Sequence, residues 1–140
     1  MRLRRAPQLT VALAFALRLN DGSTVEINER AEISLLCRFG GNRIDVARGD
    51  IIVVASEQGS GMLDVVTDEL LVSVTGTIFA VGRGALGSIV SVIEGEVAVS
   101  HAGDVSNLTP GEQIGTHAWS EMAALEDRIA WSENADTYAA

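Results

Sequence analysis

The sequence predicts an all-β fold: short strands in two facing sheets, a β-roll or β-helix-like solenoid, closed by a short C-terminal helical tail. Three observations carry that expectation. Apolar residues alternate with polar ones at period two, as in Val72-Ser73-Val74-Thr75, the spacing that puts one face of a strand inward. Four windows repeat an aliphatic residue, two others, Gly, a polar residue and then a strand: "LNDGSTVEI" (19–27), "VARGDIIVV" (46–54), "VIEGEVAVS" (92–100) and "LTPGEQI" (108–114). Helical spacing enters only after Trp119.

Taken in order, the strands are expected at about 9–19, 24–28, 31–37, 44–47, 51–55, 63–67, 70–75, 77–81, 88–93, 96–101, 105–108 and 112–115, the even spacing of a sandwich, roll or solenoid. The first segment, "MRLRRAPQLTVALAFALRLNDGS", has the basic start and apolar run of a signal peptide. Yet Val11, Leu13, Phe15, Leu17 and Leu19 alternate strictly with Ala12, Ala14, Ala16 and Arg18, which a secretory segment has no need to do, so a strand is favoured. Asp21-Gly22 is a hairpin dipeptide and Pro110-Gly111 suits a type II turn, with Gly supplying the positive φ in each. In "LVSVTGTIFAV" (71–81) the buried parity changes between Val74 and Phe79. A slip of one residue turns every side chain over, so a β-bulge at Gly76 within one strand is expected, flanked by Thr75 and Thr77. In the tail, Met122, Leu125 and Ile129 share a helical stripe that Ser120 or Ser132 caps.

Bulk numbers narrow the function. A chain of 140 residues, 47% hydrophobic, suits one domain that buries roughly 70% of its unfolded surface. The net charge of −9 argues against a nucleic-acid binder, which shows a basic face. Cys37 is the sole cysteine, so it forms no internal disulfide and reads as a packing residue in "ISLLC". No run reaches the ~20 apolar residues of a membrane-spanning helix.

Together these segments resemble the FecR-type domain, marked by V-x-GT-x-F-x-V, V-x-EG-x-V-x-V and L-x-x-GE. The marks fall on Val74, Gly76, Thr77, Phe79 and Val81; on Val92, Glu94, Gly95, Val97 and Val99; and on Leu108, Gly111 and Glu112. The similarity runs over roughly residues 10–117, leaving 118–140 as a partly helical tail. It implies a non-catalytic extracytoplasmic module without metal or cofactor, with a protein partner in the cell envelope. In FecR-like regulators this domain is the periplasmic part of a membrane-bound sigma-factor regulator. The sequence shows neither the cytoplasmic helical domain nor the transmembrane helix of that architecture, so the resemblance implies the domain and leaves sigma-factor control open. Without a clear signal peptide, a cytoplasmic location stays open at this point, and no feature sets an oligomeric state.

The competing reading is a cupin-like β-roll enzyme or ligand binder, because "LTPGEQIGTH" resembles a cupin second motif ending in His117. A cupin site needs about three imidazoles and a carboxylate, and only His101 and His117 exist. "GRGALGS" (82–88) imitates a phosphate loop, but strands flank it and a hairpin fits better. Glu94, Glu96, Asp104 and Glu112 are expected to form an acidic rim at turns, and Trp119, Trp131 and Tyr138 to seal the β core or mark a partner surface.

Overall fold

The computed structural model of the chain describes residues 8–10, 15–19, 22–38, 41–56, 62–74, 76–84, 87–116, 129–132 and 134–139. The strands are β1 (Gln8–Thr10), β2 (Phe15–Arg18), β3 (Thr24–Ile27), β4 (Glu32–Arg38), β5 (Gly41–Val54), β6 (Met62–Val66), β7 (Leu70–Val74), β8 (Ile78–Gly84), β9 (Gly87–Glu94), β10 (Val97–His101), β11 (Asp104–Leu108) and β12 (Gln113–Gly115). One helix follows among the described residues, α1 (Ala135–Ala139).

Pairing divides the strands into two layers that share β5. The first sheet runs β1, β4, β5, β6, β7, β10, β11, and the second runs β2, β3, β5, β8, β9, β12. In each sheet the strands lie in chain order, so the chain winds from one end of the molecule to the other, as expected of a roll. Every pair is antiparallel except β5 with β6. Between the layers lies one continuous core, from Ile44, Val65, Val72 and Val99 on one side to Ile27, Val53, Phe79 and Val92 on the other. Full burial of each such side chain contributes about 1.5–3 kcal/mol.

Two glycines, one expected in a turn and one in a bulge, are something else. The window around Gly49 was expected to reverse the chain, yet β5 passes straight through it. Arg43 to Asp45 pair with β6 of the first sheet, while Ile51 to Val54 pair with β3 and β8 of the second. At the crossing the β4 register skips Ala47, since Glu32 faces Arg48 and Ile33 faces Val46, and an extra residue of this kind bends a strand. Gly49 has φ +100°, and a Cβ there would lie 2.5 Å from the Ala31 Cα. The close approach of backbone, rather than a turn, demands glycine here.

Gly76 likewise does not sit in a bulge within one strand. Its φ of +63° is the expected sign, but β7 ends at Val74 in the first sheet and β8 begins at Ile78 in the second. The parity changes because the chain changes sheet, which turns Val72, Val74, Phe79 and Val81 all into the same core. The links at Gly95 and Gly111 also cross between sheets. Gly22 falls in a hairpin as expected, with Arg18 opposite Thr24, and the described residues of "GRGALGS" do likewise, with Gly84 opposite Gly87; Asp21, Ala85 and Leu86 lie outside the described residues. The segment expected as one strand over 9–19 contributes β1 to the first sheet and β2 to the second; Val11 and Leu13 lie outside the described residues, as do Thr75, Ser120, Met122 and Leu125 and the side chain of Cys37.

Candidate functional site

The two outer faces differ. On the second sheet one row of neighbours reads Ala16, Glu26, Ile52, Ala80, Ser91, Gln113, and its four central members are buried. The C-terminal segment covers it. Ile129, fully buried, packs on Ile52 and Ala80, and Trp131 and Tyr138 pack around them. Glu26 lies in this contact, only 7% exposed. Its Oε1 accepts from Ser132 Oγ at 2.5 Å and from Asn134 Nδ2 at 3.4 Å, and its Oε2 accepts from the Tyr138 hydroxyl. Burial pushes the Tyr138 phenol well above its ordinary value, and the carboxylate it donates to pushes it further. Ser132 also accepts from the Asn134 amide at 3.0 Å, acting as the expected cap ahead of α1. Trp131 and Tyr138 therefore seal an outer face rather than the interior.

On the first sheet the matching rows are Val105, Ser100, Leu71, Val66, Asp45, Ser34 and Asn107, Ala98, Ser73, Asp64, Arg43, Leu36. None of these residues is buried. Short polar links run across them, Ser73 Oγ to Asp64 at 2.7 Å and Arg43 to Asp45 at 2.8 Å. Leu71 and Val105, the exposed large apolar residues among those described, fall in the same row, with Val105 66% exposed. Val105 belongs to β11, beyond which no strand pairs among the described residues.

The expected acidic rim is split. Glu94 and Glu96 flank the Gly95 crossing, and Glu112 sits at the neighbouring crossing, where Gly111 N donates to Val92 O at 2.9 Å. Asp104 starts β11 at its far end, opposite His101, about 13 Å away along the strand. All four carboxylates are exposed. The Thr109 hydroxyl and amide, each 2.7 Å from Glu112 Oε1, hold that carboxyl below the ordinary range, which makes it a turn cap. His101 is half-buried and His117 and Trp119 lie outside the described residues. Among the described residues no three His, Cys, Asp or Glu side chains converge as metal ligands. A crevice lined by Asp50, Val81, Gly82, Ile89 and Ser91 measures about 10 Å³, room for a single water.

A polar seam closes one end of the roll. Arg83 grips Asp68 at 2.7 and 3.1 Å, and Ser88 Oγ reaches Thr67 Oγ1 at 2.9 Å and Glu69 at 3.1 Å. The guanidinium holds the Asp68 carboxyl below its usual value. This seam fastens the β8–β9 hairpin of one sheet to the β6–β7 turn of the other.

The model of the FecR protein family matches residues 12–98, and the chain belongs to that family. The match takes in the first sequence mark and the second as far as Val97; Val99, Leu108, Gly111 and Glu112 lie beyond it. Two crystal structures of a "putative anti-sigma factor" from Parabacteroides distasonis share the fold. One superposes with a TM-score of 0.71 at 21% identity over 81% of this chain. The other gives 0.70 at 22% identity over 80%. This chain spans 57% and 56% of their lengths. No curated protein matches the chain. Among the described residues no helix is long and apolar enough to cross a membrane.

Proposed function

We propose that the chain is a non-catalytic, periplasmic protein-binding module that relays a signal within a FecR-type regulatory system, with residues 10–117 as the β unit and 118–140 as its tail. Membership of the FecR family carries this reading, and the anti-sigma description of the two structural neighbours agrees with it. The contact point is the β11 edge. An open edge offers backbone donors and acceptors for an added strand. β11 has five residues, against three each in β1 and β12 and four in β2. It carries no Pro and no cation, and its pairing with β10 has no register shift, so it lacks the usual devices that blunt an edge. From Gly84 to Asp127 the sequence holds no Arg or Lys, and the exposed charges on β9 to β12 are Glu94, Glu96, Asp104 and Glu112. The partner segment that fits is extended, apolar on one face and basic; a second copy of β11 would bring like charges together.

The test is a gene deletion with complementation in the natural host. Deletion should change transcription of a discrete gene set. The wild-type gene, and a His101→Ala variant, should restore it; Val105→Lys should not, at equal protein level in the periplasmic fraction. A cytosolic protein, or full restoration by Val105→Lys, overturns the reading.

A further inference from the structure

Glu26 poses a physical question that the edge does not answer. Its neighbours in the β3 row make it an outward-facing residue, yet it is 7% exposed, and no Arg or Lys pairs with it among the described residues. A buried carboxylate is tolerable only if hydrogen bonds replace water. Among the described residues the replacements come from one segment more than a hundred positions later: Ser132, Asn134 and Tyr138.

That segment is lightly fastened. Ile129 and Ser132 are its buried residues among those described, while Asn134, Asp136 and Thr137 are exposed and Trp131, Ala135 and Tyr138 half-buried. It joins neither sheet. α1 has five residues, far below the ~12–15 that sustain an isolated helix in water. The Trp131 indole N–H is buried with no hydrogen-bond partner among the described residues, a cost that release of the segment removes. Elements with few buried contacts open without global unfolding.

We propose that the outer face of the second sheet is a docking slot keyed to the Glu26 carboxylate, and that residues 129–139 are a strap that fills it in cis and yields it to a partner segment of the same chemistry. The required chemistry is printed in the strap: an aliphatic anchor where Ile129 meets Ile52 and Ala80, then hydroxyl donors where Ser132 and Tyr138 reach Glu26. Release of the strap stands on the geometry alone; its hand-over to a partner rests on the protein-binding reading above.

Hydrogen exchange on the full chain tests the strap. The amides of Ser132, Ala135 and Tyr138, bonded to Ile129 O, Ser132 O and Asn134 O, should show protection at least ~100-fold below that of the β5 and β8 amides. Exchange of both groups together overturns the strap. A synthetic peptide of residues 127–140 tests the slot. It should bind a Ser132→Ala/Tyr138→Phe variant at least ~10-fold tighter than wild type, because a weakened strap competes less. Glu26→Ala should abolish that binding, and Glu26→Gln, which keeps shape and one acceptor, should weaken it while guarding against loss of fold. Binding that survives Glu26→Ala, or no binding to the weakened variant, overturns the slot. Val105→Lys should leave peptide binding unchanged, so failure of the edge and failure of the slot are told apart.

Discussion

The two outer faces are built from the same alternation and end in opposite states. Across β10, β7 and β6 the outward residues Ser100, Leu71 and Val66 stay half-buried or exposed, whereas across β3, β5 and β8 the outward residues Glu26, Ile52 and Ala80 are buried. Strand alternation decides only which residues point away from the core. Whether an outward residue meets water depends on what the rest of the chain lays over it, and here the last turn and helix cover one sheet alone.

The largest effect should come from the residue that lets both faces share a strand. Gly49→Ala places a Cβ 2.5 Å from the Ala31 backbone at φ +100°, and neither atom can yield without moving β4 against β5. We expect a loss of about 3–4 kcal/mol in denaturant unfolding. A loss below about 1 kcal/mol would show that the crossing can relax and that the sheets are less rigidly coupled than the shared strand implies.

Next comes the anchor of the covered face. Ile129→Ala removes the fully buried side chain that holds the strap on Ile52 and Ala80, with an expected cost of about 2 kcal/mol. Trp131, packed in the same cluster, reports it through a red-shifted emission. An equal loss with no change in emission would place Ile129 in the main core and erase the contrast between the faces.

A smaller effect concerns the Tyr138 hydroxyl. Burial first, then its bond to Glu26, raise the folded phenol above the ordinary ~10 of an unfolded tyrosine. The neutral phenol is the form that docks, so its contribution is complete below about pH 10 and falls as pH climbs through the raised folded value. Tyr138 is the sole tyrosine, so absorbance at alkaline pH reads it directly. Ionisation should come later in the folded than in the unfolded chain, and Glu26→Gln should move it part of the way back. Identical titration of folded and unfolded chains would mean the hydroxyl is in water.

Much of the fold was legible because its rules are local. Val97-Ala98-Val99 and its like fix strand and face, and Gly with polar neighbours marks where a strand must bend. Glycine does not say whether the chain then reverses or crosses to the other layer. "VARGDIIVV" and "LNDGSTVEI" look alike, yet Gly22 closes a hairpin and Gly49 sits inside a strand, because Ala31 and the β4 pairing, not neighbours in sequence, decide. Glu26 was illegible for the same reason. In Thr24-Val25-Glu26-Ile27 it occupies the position of any solvated strand residue, and its partners Ser132 and Tyr138 stand 106 and 112 positions away. The hint available was the tail itself, where Ile129, Trp131 and Tyr138 put apolar weight beyond the last strand.

The smallest expected effect on stability belongs to the bare face. Val105 is 66% exposed in the last strand of the first sheet, so Val105→Lys should change unfolding free energy by no more than about 0.5 kcal/mol. Lysine on an edge is a device against strand addition, and here it would also meet the proposed basic partner segment with like charge. The substitution separates stability from recognition, which Gly49→Ala and Ile129→Ala cannot. A folded variant with unchanged unfolding that no longer supports the transcriptional response sets the bare face apart as the contact surface. A large loss of stability would instead mean that Val105 is held by packing, and the contrast between a covered sheet and an open one would fail at its open end.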